Sequence, residues 1–257
     1  MGQLENRVAV ITGAGRGIGR AIALRYAAEG AIVVISSRTE AELAEVLRDA
    51  ATGDDRGLAV VADALDADGA RRPVHAALER FGRVDVLVNN VGGNAGGNLD
   101  PFAADDEAFL RNLTLNLTSA WWASTAALPA MRERAFGRIV NIGSGASKRA
   151  AASVAYTTAK HGLVGLTRQL AAATARHGIT VNCLCPGWTQ TSALDFDLIA
   201  SRTDSTPDAA RVRAEAENLQ HRILEPDELT GMATLLAGDD GRGITGQVIS
   251  VDGGYRV

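Results

Sequence analysis

The sequence predicts an α/β fold, one doubly wound parallel sheet with helices on both faces, and three observations carry that prediction. Short β-branched runs alternate with segments of helical spacing along the whole chain, no Pro/Gly-rich linker interrupts them, and the first run passes directly into a glycine-rich turn. A length of 257 residues fits either two small domains or one large α/β domain. The unbroken alternation selects a single domain over 1–257.

The first strand is expected at 8–11 (Val-Ala-Val-Ile), followed by a helix over 18–29 and a second strand at 32–35 (Ile-Val-Val-Ile). A helix over 39–51 precedes a strand at 58–61, and a helix over 66–81 precedes one at 84–88. The long helical segment 104–134 leads to a strand at 138–142, and the segment 154–177 to one at 179–184. A last helix over 226–237 and a strand at 248–251 close the chain. Such alternation implies right-handed β-α-β crossovers. One stretch departs from it: 189–218 is long, polar and carries two weakly amphipathic pieces, the mark of a lid over a binding site.

Composition narrows the function. With 46% apolar and 22% charged residues the chain can bury a sizeable core. The 26 basic against 30 acidic residues leave a net charge of −4 and no basic block, so nucleic acid is not an expected partner. No apolar stretch approaches the roughly 18 residues of a membrane span, and charges at Glu5 and Arg7 precede the first apolar run, so a cytoplasmic protein is expected. Cys183 and Cys185 point to one face of a strand, without disulfide geometry, and are expected as reduced core residues. No metal site is expected.

Residues 12–19 read Thr-Gly-Ala-Gly-Arg-Gly-Ile-Gly, between a strand and a helix. Glycines here let backbone approach a pyrophosphate, and the helix N-terminus favours its charge, so Gly13, Arg16, Gly17, Ile18 and Gly19 are candidate dinucleotide-binding residues of a Rossmann-type sheet. A tight structural turn is the ordinary alternative. About twenty residues on, where an acid would grip the ribose of NAD, stand Ser37 and Arg38. A hydroxyl and a guanidinium suit the 2′-phosphate of NADP instead, unless Arg38 is simply a solvated strand end. Asp63 is placed either to accept from adenine or to cap its own turn.

Tyr156 and Lys160 lie at i and i+4 of a helix and share a face, where an ammonium stabilises the phenolate that a general acid/base must pass through. The chain has only two lysines among its 26 basic residues, so a lysine at 160 points to a need for a compact ammonium. Ser144 ends the fifth strand on the same sheet edge as the glycine turn, where its hydroxyl can polarise a carbonyl or merely cap a turn. Asn89-Asn90-Val91-Gly92 ends the fourth strand, Asn116 sits within a helix, and Pro186-Gly187 follows the sixth strand.

Taken together, Thr12-Gly13-x-x-x-Gly17-x-Gly19, Asp63, Asn89-Asn90-x-Gly92, Asn116, Ser144, Tyr156-x-x-x-Lys160, Pro186-Gly187 through Thr191, Ile244-Thr245-Gly246 and Val251-Asp252-Gly253-Gly254 resemble the short single-domain branch of the short-chain dehydrogenase/reductase family, over essentially the whole chain. The resemblance implies that Tyr156 exchanges a proton with the substrate oxygen, Ser144 hydrogen-bonds it, Lys160 holds the nicotinamide ribose, and Asn116 positions a relay water. It further implies that Asn90, Gly92, Pro186, Gly187, Thr189 and Thr191 lie on the cofactor, and that the protein is a homotetramer assembled through helices 104–134 and 154–177. Two departures stand out. Val91 replaces the usual Ala, and the Ser144 to Tyr156 interval is one residue short, leaving Ser144 and Ser147 both in play for the substrate.

The expected function is therefore an oxidoreductase that moves a hydride between NADP(H) and a ketone or secondary alcohol, with NAD(H) a possible cofactor. A 3-oxoacyl thioester, a hydroxysteroid or another cyclic ketone would fit a pocket opened by the glycines at 92, 93, 96 and 97 and flanked by Trp188 and Leu194. The alternatives are an NAD-dependent alcohol or hydroxysteroid dehydrogenase and a non-catalytic cofactor-binding sensor. A sugar-nucleotide epimerase would need a larger C-terminal region.

Overall fold

The computed structural model describes residues 2–96, 102–103, 105–151 and 153–257. Val8–Thr12 (β1) leads through a glycine turn into Gly17–Ala28 (α1), followed by Ile32–Ser37 (β2), Glu40–Asp49 (α2), the single turn Gly53–Arg56 (α3) and Gly57–Val61 (β3). Ala67–Phe81 (α4) and Val86–Asn89 (β4) come next, then Asp106–Leu113 (α5), a π turn at Thr114–Thr118, Ser119–Glu133 (α6), Gly137–Ile142 (β5) and Val154–Thr174 (α7). Ile179–Pro186 (β6), Phe196–Thr203 (α8), Pro207–Ala216 (α9), Thr230–Ala237 (α10) and Val248–Val251 (β7) complete the chain.

The strands form one parallel sheet in the order β3-β2-β1-β4-β5-β6-β7. Alternate side chains of each strand enter opposite faces. Ala9 and Ile11 of β1 pack with Tyr26 of α1, Leu43 of α2 and Leu236 of α10. Val8 and Val10 pack on the other face with Val74 of α4, Met131 of α6 and Leu170 of α7. A strand buried on both faces needs apolar residues at every position, which is why β1 reads as a continuous run rather than an alternation. Each of the larger buried side chains contributes roughly 1.5–3 kcal/mol.

Strand order reverses between β1 and β4, and a crevice opens outside the carboxyl ends of these neighbours, where an open α/β sheet binds ligands. Two local features differ from the expected elements. The fourth strand starts at Val86, two residues late, because Asp85 meets β1 through its carboxylate, which accepts from the Val8 N–H at 2.8 Å. The 104–134 helix is two helices with a π turn between them, and its residue 104, like Gly97 of the expected pocket, lies outside the described residues. The 189–218 stretch holds two short helices, α8 and α9, each started by a side-chain cap from Asp195 or Thr206.

Candidate active site

The glycine turn is built for close approach. Gly13 and Gly17 adopt the left-handed backbone that glycine permits, and a Cβ on Gly19 would lie 2.4 Å from Asn90 Nδ2. Asn90 Nδ2 donates to the carbonyls of Thr12 and Gly13 at 3.0 and 2.9 Å, and the Thr12 hydroxyl accepts from the Asn90 N–H at 3.1 Å. The ends of β1 and β4 are thereby locked together. No side chain caps α1, so its first N–H groups stay open toward an anion. Thr191 closes over the turn, its methyl 3.1 Å from where a Gly17 Cβ would stand. Arg16, Gly17, Arg20, Thr191, Ser192 and Leu194 are among the residues lining a cavity of about 690 Å³ there. Bare glycines, a free helix N-terminus and flanking arginines fit a dinucleotide pyrophosphate.

At the end of β2, Ser37 is half-buried and its hydroxyl is engaged with the Thr39 backbone, while Arg38 is exposed. Asp63 accepts from the Leu65 N–H at 3.0 Å, the turn-capping role. An acid that sequence reasoning missed arrives from α2: Glu42 Oε2 lies 2.6 Å from the position of a Gly15 Cβ, and Oε1 stands 3.9 Å from an Arg16 nitrogen. The first helical turn favours a carboxylate, the one signal in the sequence for its presence.

The chemical end is assembled from four elements. Asn116, in the π turn, accepts from the Gly93 N–H at 2.9 Å and donates to the carbonyls of Gly93 and Asn112 at 2.8 and 3.0 Å. Lys160 of α7 is buried and donates to the Ile142 carbonyl at 2.9 Å. A Cβ on Gly92 would sit 2.9 Å from Asn116 Oδ1 and 3.1 Å from Lys160 Nζ, so only a glycine lets these two groups converge there. Tyr156, one turn before Lys160, is half-buried, with the ammonium 5.6 Å from its ring centre. The register of α7 is held from behind by a buried chain in which Asn89 donates to Asn141 at 2.8 Å and Asn141 to Thr167 at 2.9 Å.

The two lysines play different parts. Lys148 is exposed and bonded to Ser250. Of the three tyrosines, Tyr26 is buried against the Ala233 carbonyl, and burial pushes its hydroxyl far above the usual range. Tyr255 packs on Gly145. That leaves Tyr156 as the phenol of the cleft.

Ser144 stands two residues beyond β5 and caps a 3-10 turn. Its Oγ accepts from the Ala146 N–H at 3.1 Å, and its own N–H donates to Ser147 Oγ at 3.1 Å. Ser147 is buried, directed at the sulfurs of Cys183 and Cys185 across Gly143. The cysteines are free and 3.7 Å apart. A hydrogen bond with Cys185 pushes Cys183 up, while Cys183, then Ser147 and the Ser144 N–H, pull Cys185 down to about 6 against the opposing effect of burial. Among the described residues no cluster of His, Cys, Asp or Glu could hold a metal ion, and no helix is long and apolar enough to cross a membrane. Thr189 is buried and its hydroxyl donates to the Gly187 carbonyl at 3.1 Å, while Pro186 ends β6 beside Val251.

The sequence profile of the short chain dehydrogenases matches residues 7–197. The chain is 35% identical over 250 residues to the short-chain reductase protein NovJ of Streptomyces niveus, covering 97% of this chain and 94% of that one. It is 35% identical over 257 residues to the (2S)-[(R)-hydroxy(phenyl)methyl]succinyl-CoA dehydrogenase subunit BbsD of Thauera aromatica, covering 98% and 97%. Among solved structures, a variant of actinorhodin polyketide ketoreductase with NADPH matches with a TM-score of 0.91 and 34% identity over 100% of this chain and 99% of that one. The fold, the convergent residues and these likenesses agree: the chain belongs to the short-chain dehydrogenase/reductase family, a family of oxidoreductases that bind a nicotinamide cofactor.

Proposed function

We propose that the protein is an NADP(H)-preferring ketoreductase, or a secondary-alcohol dehydrogenase in the reverse direction, with Tyr156 as general acid/base. The observation that carries this is the meeting of Asn116 Oδ1 and Lys160 Nζ over Gly92, one helical turn from Tyr156 and fastened to the strand end bearing Ser144. The nicotinamide cofactor, when bound, supplies or accepts the hydride. Tyr156 gives its proton to the carbonyl oxygen as negative charge develops there, and the Ser144 hydroxyl donates to the same oxygen. Lys160 stabilises the phenolate left behind and faces the ribose hydroxyls. The side-chain amide of Asn116 is committed to Gly93 and Asn112, so it acts by holding the Gly92–Gly93 backbone rather than by offering its amide to a water.

NADP(H) is favoured by Arg16 and Arg38 around Ser37, and the likeness to a ketoreductase solved with NADPH supports it. The acyl-thioester substrate in the name of the Thauera relative makes β-ketoacyl thioesters the first class to try, ahead of steroids and small cyclic ketones. The segment 189–218, with its exposed α8 and α9, serves as the cover over this pocket. Leu110, Trp121 and Val154 are exposed on α5, α6 and α7, the helices expected to build a homotetramer. An NADPH-linked absorbance screen over the three ketone classes tests the function. Turnover of at least one class with a better kcat/KM for NADPH than for NADH is expected, and cofactor binding without turnover of any would favour a sensor.

A further inference from the structure

Glu217 occupies the C-cap of α9, the end of the covering segment. A carboxylate is disfavoured at a helix C-terminus, where the backbone already presents negative charge, so another interaction must hold it there. Three do. Glu217 Oε2 accepts from the Trp188 indole N–H at 2.8 Å, Oε1 pairs with Arg256 at 2.5 Å, and the Glu217 carbonyl accepts from the Arg256 N–H at 2.8 Å. Burial alone would push its carboxyl up, but the bonds from Arg256 and Trp188 outweigh it and hold the group below the usual carboxylate range.

Arg256 extends the connection. Its other guanidinium nitrogen donates to the Ala150 carbonyl at 3.3 Å, in the loop between Ser144 and Tyr156. Tyr255 lies flat on the start of that loop, its ring carbons 2.4 Å from where a Gly145 Cβ would stand. Gly253 and Gly254, both at positive φ, turn the chain back so that Tyr255 bridges Asn218, and Arg256 itself takes a left-handed backbone uncommon for a side chain of its size. The two ends of the covering segment, the serine loop and the C-terminus therefore share one hub.

We propose that Glu217 is a positioning residue, which through Arg256 sets the covering segment and the Ser144 loop in register so that the substrate carbonyl meets Ser144 and Tyr156 together. Resting on the ketoreductase function proposed above, this adds a determinant of substrate placement outside the catalytic set. Neither Glu217 nor Arg256 lines the glycine-turn cavity, so cofactor binding is expected to be spared.

The test is hydrogen exchange on the full chain, with and without NADPH, for wild type, Glu217→Gln and Arg256→Gln. Glu217→Gln keeps an acceptor for Trp188 and loses the ion pair, and Arg256→Gln breaks the same pair from its other side, so the test stands if one variant does not fold. Both single variants should speed exchange in 145–151 and in 188–216 together by about tenfold, the loss expected of one charge-assisted hydrogen bond. In turnover, KM for the ketone should rise by a similar factor while the NADPH Kd stays within about twofold. Unchanged exchange, or a rise in one segment alone, overturns the coupling whatever the enzyme reduces. Faster exchange in both segments with no effect on ketone KM would overturn the positioning role, and failure of every ketone with the exchange result intact would fault the proposed function instead.

Discussion

Lys160 Nζ donates to the Ile142 carbonyl across 2.9 Å, joining the ammonium of α7 to the strand end that carries Ser144. The bond is buried, so Lys160→Met both removes the cation beside Tyr156 and strands a carbonyl without a partner. An unpaired buried carbonyl costs about 1–3 kcal/mol, visible as a lower denaturation midpoint. Turnover should fall by far more than that loss of stability explains, at temperatures where the variant remains folded. A folded Lys160→Met enzyme with wild-type kcat would remove the ammonium from the mechanism.

Tyr156→Phe deletes one oxygen from a half-buried ring and leaves the neighbouring packing alone. Folding and NADPH binding should be near normal, measured by thermal midpoint and by fluorescence titration, with most turnover gone. Tyr26→Phe is the contrasting variant: its hydroxyl is bonded to Ala233 on the opposite face of the sheet, so it should cost stability and spare kcat. Near-normal reduction by Tyr156→Phe would sink its assignment as the acid.

Much of this was legible in the residues because the sheet is buried on both faces. Runs such as Val8 to Ile11 are apolar at every position and short, which separates them from helices without tertiary knowledge. The π turn at Thr114–Thr118 was not legible, since Asn116 within it is fastened to Gly93, 23 residues away, a contact that helical spacing does not encode. Glu42 was missed for a related reason: it stands in the first turn of α2, and only the packed structure brings it to Gly15. The Glu217–Arg256 pair is separated by 39 residues and meets through two glycines that turn the chain back.

Glu42 makes the cofactor prediction sharper. Its carboxylate stands beside Arg16, where it opposes a 2′-phosphate, so Glu42→Gln should raise the preference for NADPH over NADH. Because Arg16 is 62% exposed, water screens the pair and the gain should be modest, about two- to fivefold in the ratio of kcat/KM values. A Ser37→Asp/Arg38→Leu change should reverse the preference, by removing a phosphate partner and adding a ribose acceptor. If wild type already uses NADH better, the preference assigned to Arg16 and Arg38 is wrong.

The shortened interval between Ser144 and Tyr156 leaves two serines to separate, and their hydrogen bonds do so. Ser147 is buried and engaged: its oxygen accepts from the Ser144 N–H, and it helps to pull the Cys185 thiol down. Ser144 is half-buried and its oxygen accepts from the Ala146 N–H, which orients the hydroxyl while leaving its proton available for a substrate oxygen. One serine is therefore a cap within the fold, and the other is a preorganised donor at a strand end. Removing such a donor to a developing oxyanion costs about 10²–10³ in kcat. Ser144→Ala should show a loss of that order with cofactor affinity little changed. Ser147→Ala should leave kcat within a few-fold of wild type and lose instead about 0.5–1.5 kcal/mol of stability, the net contribution of the hydrogen bond it gives up. Steady-state kinetics together with denaturant unfolding of both variants decides the matter: a large kcat loss confined to Ser147→Ala would make it the substrate-facing hydroxyl, and small equal losses would show that neither serine polarises the carbonyl.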